Sequence, residues 1–172
     1  TLIDNSCVYH KVDKNRPKEI AQYIAEGKIV GHFSGRMEFG PRALGSRSIL
    51  GNPTDEKTQT IMNLKIKYRE SFRPFAPSVL DERINDYFEI SDKSPYMLLV
   101  CQVQKDRCIE NSESASDNIY AKVNQKRSDI PAVTHVDYSA RIHSVNSEYN
   151  KEYYDIIKEF ENLTGFGVLV NT

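Results

Sequence analysis

The chain has 172 residues, long enough for one well-buried core and too short for two ordinary domains. Its 39% hydrophobic and 27% charged residues, with 23 basic against 24 acidic side chains, are those of a globular protein rather than a disordered one. No apolar run approaches the roughly 18–20 residues needed to span a bilayer, and nothing at the N-terminus has the order of a signal peptide. Three cysteines (Cys7, Cys101 and Cys108) without a CxxC pair argue against a disulfide or zinc framework. A cytoplasmic protein with reduced thiols and no membrane partner is expected. The absence of an initial Met and the abrupt stop at Thr172 lead us to expect an excised piece of a longer protein.

The predicted elements alternate between helix and strand. Pro17 suits a first helical turn, Ile20, Tyr23 and Ile24 form an apolar face, and Gly27 fits the stop. Ile29, Val30 and Phe33 read as a short strand. Residues 34–48, with Gly35, Gly40, Pro41 and Gly45, are chiefly loop. After the Gly51-Asn52-Pro53 turn, Thr54 is placed to cap a helix carrying Ile61, Leu64 and Tyr68 on one side. Residues 75–80 are extended, Ile84, Tyr87 and Phe88 mark a short helix, and 97–103 is expected as a buried strand. Residues 105–129 are polar, with a biased run at 111–117, and are expected as a surface excursion. Strands are expected at 133–136 and 140–145. Tyr153, Ile156, Ile157, Phe160 and Leu163 follow helical spacing up to a Gly165 cap, before a last apolar strand at 166–170. The order predicts one α/β (α+β) domain built on a mixed sheet flanked by helices.

Charge is unevenly placed. Residues 36–73 hold eight basic side chains (Arg36, Arg42, Arg47, Lys57, Lys65, Lys67, Arg69 and Arg73) against four acidic ones (Glu38, Asp55, Glu56 and Glu70), in a chain of formal net charge −1. A cationic region within an acidic chain points to a small anionic ligand rather than a polyanion surface, so nucleic acid is not an expected partner.

Three clusters are candidates for chemistry. In residues 35–48, Arg36, Arg42 and Arg47 lie in a loop whose glycines permit positive φ and close backbone approach. Such arginines grip phosphate or carboxylate bidentately; equally, they can pair with carboxylates such as Glu38 in a solvated loop. Lys65, Lys67 and Arg69, followed by Arg73 and a proline-stiffened segment, either set several cations at the mouth of a strand or complement a helix dipole. His135 and Asp137, two apart on a strand, would face one side, as a proton-transfer pair or as a satisfied structural histidine. Metal binding has little support: His10, His32, His135 and His143 lack ligand spacing. There is no Walker motif, no GxGxxG and no nucleophile elbow, so a nucleotide site must use another architecture.

The run from Arg36 through Glu38, Gly40, Pro41, Arg42, Gly45, Arg47 and Ser48 to Leu50 resembles the signature of the carbamoyltransferase family that includes nodulation and antibiotic O-carbamoyltransferases. The likeness continues from Lys67-Tyr68-Arg69-Glu70 to Phe72-Arg73-Pro74-Phe75-Ala76-Pro77-Ser78-Val79. It resumes at Ile130-Pro131, Thr134-His135-Val136-Asp137, Ala140-Arg141 and the closing Gly167-Val168-Leu169-Val170-Asn171-Thr172.

The resemblance implies a YrdC-like C-terminal domain over residues 1–172, cut short at its C-terminal end, because the family continues past Thr172 with Ser-Phe-Asn. It implies that ATP with Mg²⁺ and carbamoyl phosphate are substrates, converted there to carbamoyl adenylate. A missing N-terminal Kae1-like domain would transfer the carbamoyl group to the hydroxyl of a small-molecule acceptor. No tightly bound cofactor or protein-held metal is expected, and the isolated chain is not expected to complete the reaction. By position, Lys67, Arg73 and Arg42 take the catalytic roles and are expected to converge on one pocket. Arg36, Ser46, Arg47, Arg69, Ser78, His135, Arg141, Asn171 and Thr172 take substrate or nucleotide binding. The alternative is a non-catalytic nucleotide- or RNA-binding YrdC-like module.

Overall fold

In a computed structural model of the chain, which describes residues 7–12, 14–109, 123 and 125–172, the first helix is α1 (Arg16–Ala25). Pro17 sits in its first turn, where a missing N–H costs no helical bond, and Gly27 follows its end at φ +81°. Strands β1 (Val30–Phe33) and β2 (Arg47–Gly51) come next, then the short helix α2 (Glu56–Ile61) and strand β3 (Ala76–Leu80). Helix α3 (Ile84–Tyr87) and strands β4 (Val100–Gln102), β5 (Ser139–Arg141) and β6 (His143–Val145) precede the long helix α4 (Lys151–Thr164) and strand β7 (Val168–Asn171).

Five strands form one sheet in the order β1-β2-β7-β3-β6, antiparallel throughout except for the parallel β3–β6 pair. Interior strand β3, between β7 and β6, is buried along its whole length, and its ladder with β6 begins at Ser78, beyond Pro77, which has no N–H to give. Alternation along the strands divides the core. Leu50, Leu80 and Leu169 face α1 and α4, whereas Val79, Val168 and Val170 face Met62, Phe88 and Val133 on the other side. On α4 the Asn150 side chain accepts the Tyr153 N–H at 3.2 Å, and Gly165 closes the helix at φ +81°. Its stripe Tyr153, Ile156, Ile157 and Phe160 is fully buried, each side chain contributing about 1.5–3 kcal/mol. This is the mixed α/β architecture that the pattern predicts.

Several local expectations change. The run 97–103 is not a buried strand: only Val100–Gln102 is extended, it pairs with β5 in a separate two-stranded sheet, and Leu98, Leu99 and Val100 point outward. The strand expected at 133–136 is replaced by a 3₁₀ turn, Pro131–Val133, because Pro131 presets its φ and Thr134 Oγ1 closes on the Ile130 carbonyl at 3.0 Å. The run 140–145 is two strands in two sheets, divided at buried Ile142. Asp55, not Thr54, caps α2, since Thr54 is spent on Asn52 Oδ1. Tyr68 does not extend the helix: it ends it at φ +50° and is exposed. The surface excursion lies largely outside the described residues, and the biased run 111–117 lies wholly outside them.

Candidate functional site

The loop from Ser34 to Ser46 is glycine-rich, yet it is fastened from three sides. Glu38 Oε1 accepts the backbone N–H groups of Leu44 (2.7 Å), Ser46 (2.8 Å) and Arg47 (3.1 Å). Burial works to raise this carboxyl, but its own amide and those three hold it below the usual carboxylate range. From beneath, His32 Nδ1 meets the Gly45 carbonyl at 2.7 Å, Ser48 Oγ accepts the Gly45 N–H at 3.0 Å, and Asn171 Nδ2 donates to the Ala43 carbonyl at 2.9 Å. At the neck, the Arg47 guanidinium donates to the carbonyls of Ser34 (2.9 Å), Ser46 (2.8 Å) and Gly35 (3.2 Å) and lies 3.4 Å over the Phe33 ring. The loop thus presents Arg42 from a tethered frame.

A second wall comes from the end of α2, which widens into a π-helix, Met62–Lys67. Asn63 Nδ2 donates to the carbonyls of Ser71 (3.0 Å) and Arg73 (2.8 Å), Gln59 Nε2 donates to those of Phe72 and Arg73, and Asn63 Oδ1 accepts Arg69 Nε at 2.6 Å. These bonds pin the basic loop to the helix.

Between the two walls lies a cavity of about 970 Å³, within the size range of small-molecule sites. Its lining brings together Arg42, Arg47, Lys67, Arg69 and Arg141, with Asn171 and Thr172 at the sheet end and exposed Phe33, Met37 and Phe39 at the rim. Among the described residues its single acidic member is Glu38, whose Oε1 is committed to backbone amides. Burial first, and the charge of Arg42 second, lower the basicity of Arg141; burial and then Arg69 do the same to Lys67. Nε of Arg42 and Nε of Arg141 are buried without a hydrogen-bond partner. Cations crowded in this way favour an anionic guest, which would relieve their repulsion and satisfy their donors. Among the described residues, no group of three or more His, Cys, Asp or Glu side chains is placed to hold a metal ion. Nor is any described helix long and apolar enough to cross a membrane.

Residues 21–172 match the family model described as "Carbamoyltransferase C-terminus". The chain belongs to this family. It is 55% identical over 155 residues to the uncharacterised protein sll1178 of Synechocystis sp., covering 90% of this chain and 25% of that protein. It is 39% identical over 155 residues to nodulation protein NolNO of Sinorhizobium fredii, covering 88% and 20%. The chain therefore spans a fifth to a quarter of the length of these curated relatives. Full-length HypF, solved in a phosphate- and nucleotide-bound form, shares its fold with a TM-score of 0.55 at 17% identity, over 96% of this chain and 18% of that one.

Not every residue singled out by sequence lines the cavity of this carbamoyltransferase C-terminal domain. Arg73 lies outside the lining, with Nε 2.8 Å from Glu70 Oε2 and both side chains about half exposed. Arg36 is exposed and also outside. Ser46 borders a neighbouring cavity of about 310 Å³, and Ser78 is fully buried, 2.7 Å from His143 Nδ1. His135 and Asp137 are not on a strand: they sit in a tight turn, where Asp137 accepts the Ser139 N–H and Oγ–H and His135 lies 3.3 Å from that same Oγ. No sequence signal marks Asn63 or Gln59, Ser48 enters only as one residue of the family signature, and Glu38 reads as a partner for arginines. Glu38 had one available signal, a lone acid inside an arginine-rich, glycine-rich run.

Proposed function

We propose that this domain is the ATP-handling part of an ATP-dependent carbamoyltransferase. It forms carbamoyl adenylate from ATP and carbamoyl phosphate, and an N-terminal Kae1-like domain of the same polypeptide passes the carbamoyl group to an acceptor hydroxyl. One observation carries the reading: Arg42, Lys67, Arg69 and Arg141 converge on a single cavity whose one acidic lining residue, among those described, is turned to backbone amides. The family description supports carbamoyl as the cargo.

In the reaction, water takes the phosphoryl group of carbamoyl phosphate and leaves carbamate. A carbamate oxygen then attacks the α-phosphorus of ATP, and pyrophosphate departs. Charge builds on the phosphoryl oxygens and on the leaving group, and preorganised guanidinium and ammonium groups stabilise it without proton transfer. Arg42 and Arg141 have planar forks suited to two oxygens, while Lys67 acts as a point charge. Arg73 joins by exchanging Glu70 for a phosphate, since an exposed ion pair holds it by only ~0–1 kcal/mol. Mg²⁺ enters with the nucleotide, held by phosphates and waters.

Carbamoyl phosphate-dependent ATP–pyrophosphate exchange in the complete protein tests the reading. Exchange that requires both substrates and disappears in Lys67→Ala is expected. ATP binding with no exchange would make the domain a nucleotide-binding module instead.

A further inference from the structure

Glu152 lies outside the lining of the cation cavity and in none of the sequence motifs. It occupies the first turn of α4, where an acid is an ordinary complement to the helix dipole. Its two oxygens, however, are directed at the two ends of one loop. Oε2 accepts the Ser34 Oγ–H at 2.5 Å, where the arginine loop begins. Oε1 faces His32 Nε2 at 3.6 Å, a polar contact longer than a hydrogen bond, and the opposite ring nitrogen of His32 holds the Gly45 carbonyl at 2.7 Å, where the loop ends. Arg16 of α1 closes an ion pair on that same Oε1. The Glu152 side chain is only 25% exposed; burial works to raise its carboxyl, but the Ser34 bond, Arg16 and His32 together hold it below the usual range.

We infer that Glu152 is a positioning residue of the anion cavity: the neck of the loop is closed by the Ser34 N–H bond to the Ser46 carbonyl and by Arg47, and Glu152, through Ser34 and His32, fixes that closed neck against α4 and so the place of Arg42. A helix that touches no ligand thereby governs a cation that does. The inference rests on the anion reading of the cavity.

The test uses the complete protein and inorganic pyrophosphate as the probe, titrated calorimetrically well below the unfolding temperature. Glu152→Ala is expected to weaken binding about tenfold. Glu152→Gln, which keeps an acceptor for Ser34, should lose less. In a double-mutant cycle, Arg42→Ala should make the Glu152 change silent, whereas Lys67→Ala, on the opposite wall, should add to it in full. A purely structural role would lower the melting temperature without this pattern. If Glu152→Ala does not fold, Glu152→Gln and Ser34→Ala carry the same cycle. Wild-type affinity in the Glu152 variants, or full additivity with Arg42→Ala, overturns the inference alone. Pyrophosphate binding that is absent, or indifferent to Arg42 and Lys67, removes the anion reading and this inference with it.

Discussion

A β-carbon added to Gly45 would stand 2.2 Å from Cδ1 of the Tyr153 ring. The ring has nowhere to retreat. It is fully buried on α4, with the rings of His32 and His143 stacked on it at centroid distances of 6.2 and 6.1 Å. Gly45 also holds φ at +102°, which side chains with a β-carbon rarely adopt. Overpacking and backbone strain together predict a loss of about 3 kcal/mol in Gly45→Ala. For a chain of this size that is a fall of roughly 6–12 °C in Tm by thermal unfolding. An unchanged Tm would mean that the loop lifts off the helix freely.

Glu38→Gln tests the internal frame of the same loop. An ionised acceptor serving three backbone N–H groups becomes a neutral amide with one oxygen, at a cost on the order of 2 kcal/mol. Hydrogen exchange at the amides of Leu44, Ser46 and Arg47 is expected to quicken by about thirtyfold while the amides of α4 keep their protection. Uniform acceleration throughout the chain would place the effect in global stability instead.

Acid should weaken the fold in two stages. Burial lowers His143 to about 4 from an ordinary 6.5. The unfolded chain binds the additional proton between those values, so this contribution is complete above pH 6.5 and is lost as the pH falls toward 4. Its size is on the order of 3 kcal/mol. Glu38 acts in the same sense lower down: its depressed carboxyl stabilises the fold above its ordinary 4.5 and ceases to do so as the pH falls through the folded value. Denaturant midpoints should therefore drop between pH 6.5 and 4.5, and His143→Gln should flatten that limb. A wild-type curve that is level there contradicts the burial argument.

Arg73 and Glu70 give a directional comparison. If a phosphate displaces Glu70 from Arg73, Arg73→Ala should weaken pyrophosphate binding about tenfold, while Glu70→Gln should leave it unchanged or tighter. Equal affinity in Arg73→Ala and wild type would leave Arg73 as a surface arginine. Arg42→Lys should also lose about tenfold, because a point charge does not reproduce a two-pronged grip.

Helix α4, helix α1 and the mixed class of the fold were legible in the sequence because periodic burial and caps are local properties: each residue of the Tyr153–Phe160 stripe declares its face by spacing alone. The cationic surplus at 36–73 and the family signature were equally visible there. Partners were not. An apolar run reports burial, not which strand lies beside it, so the sequence alone predicts 97–103 as a buried strand and 140–145 as one strand. The site depended on the same missing information. Pairing of β2 with β7 sets Asn171 beneath the arginine loop, and the docking of α4 delivers Glu152 and Tyr153 to it. Which cations share the cavity, and where the arginine loop is anchored, follows from contacts between residues far apart in the chain, and only the tertiary structure decides those.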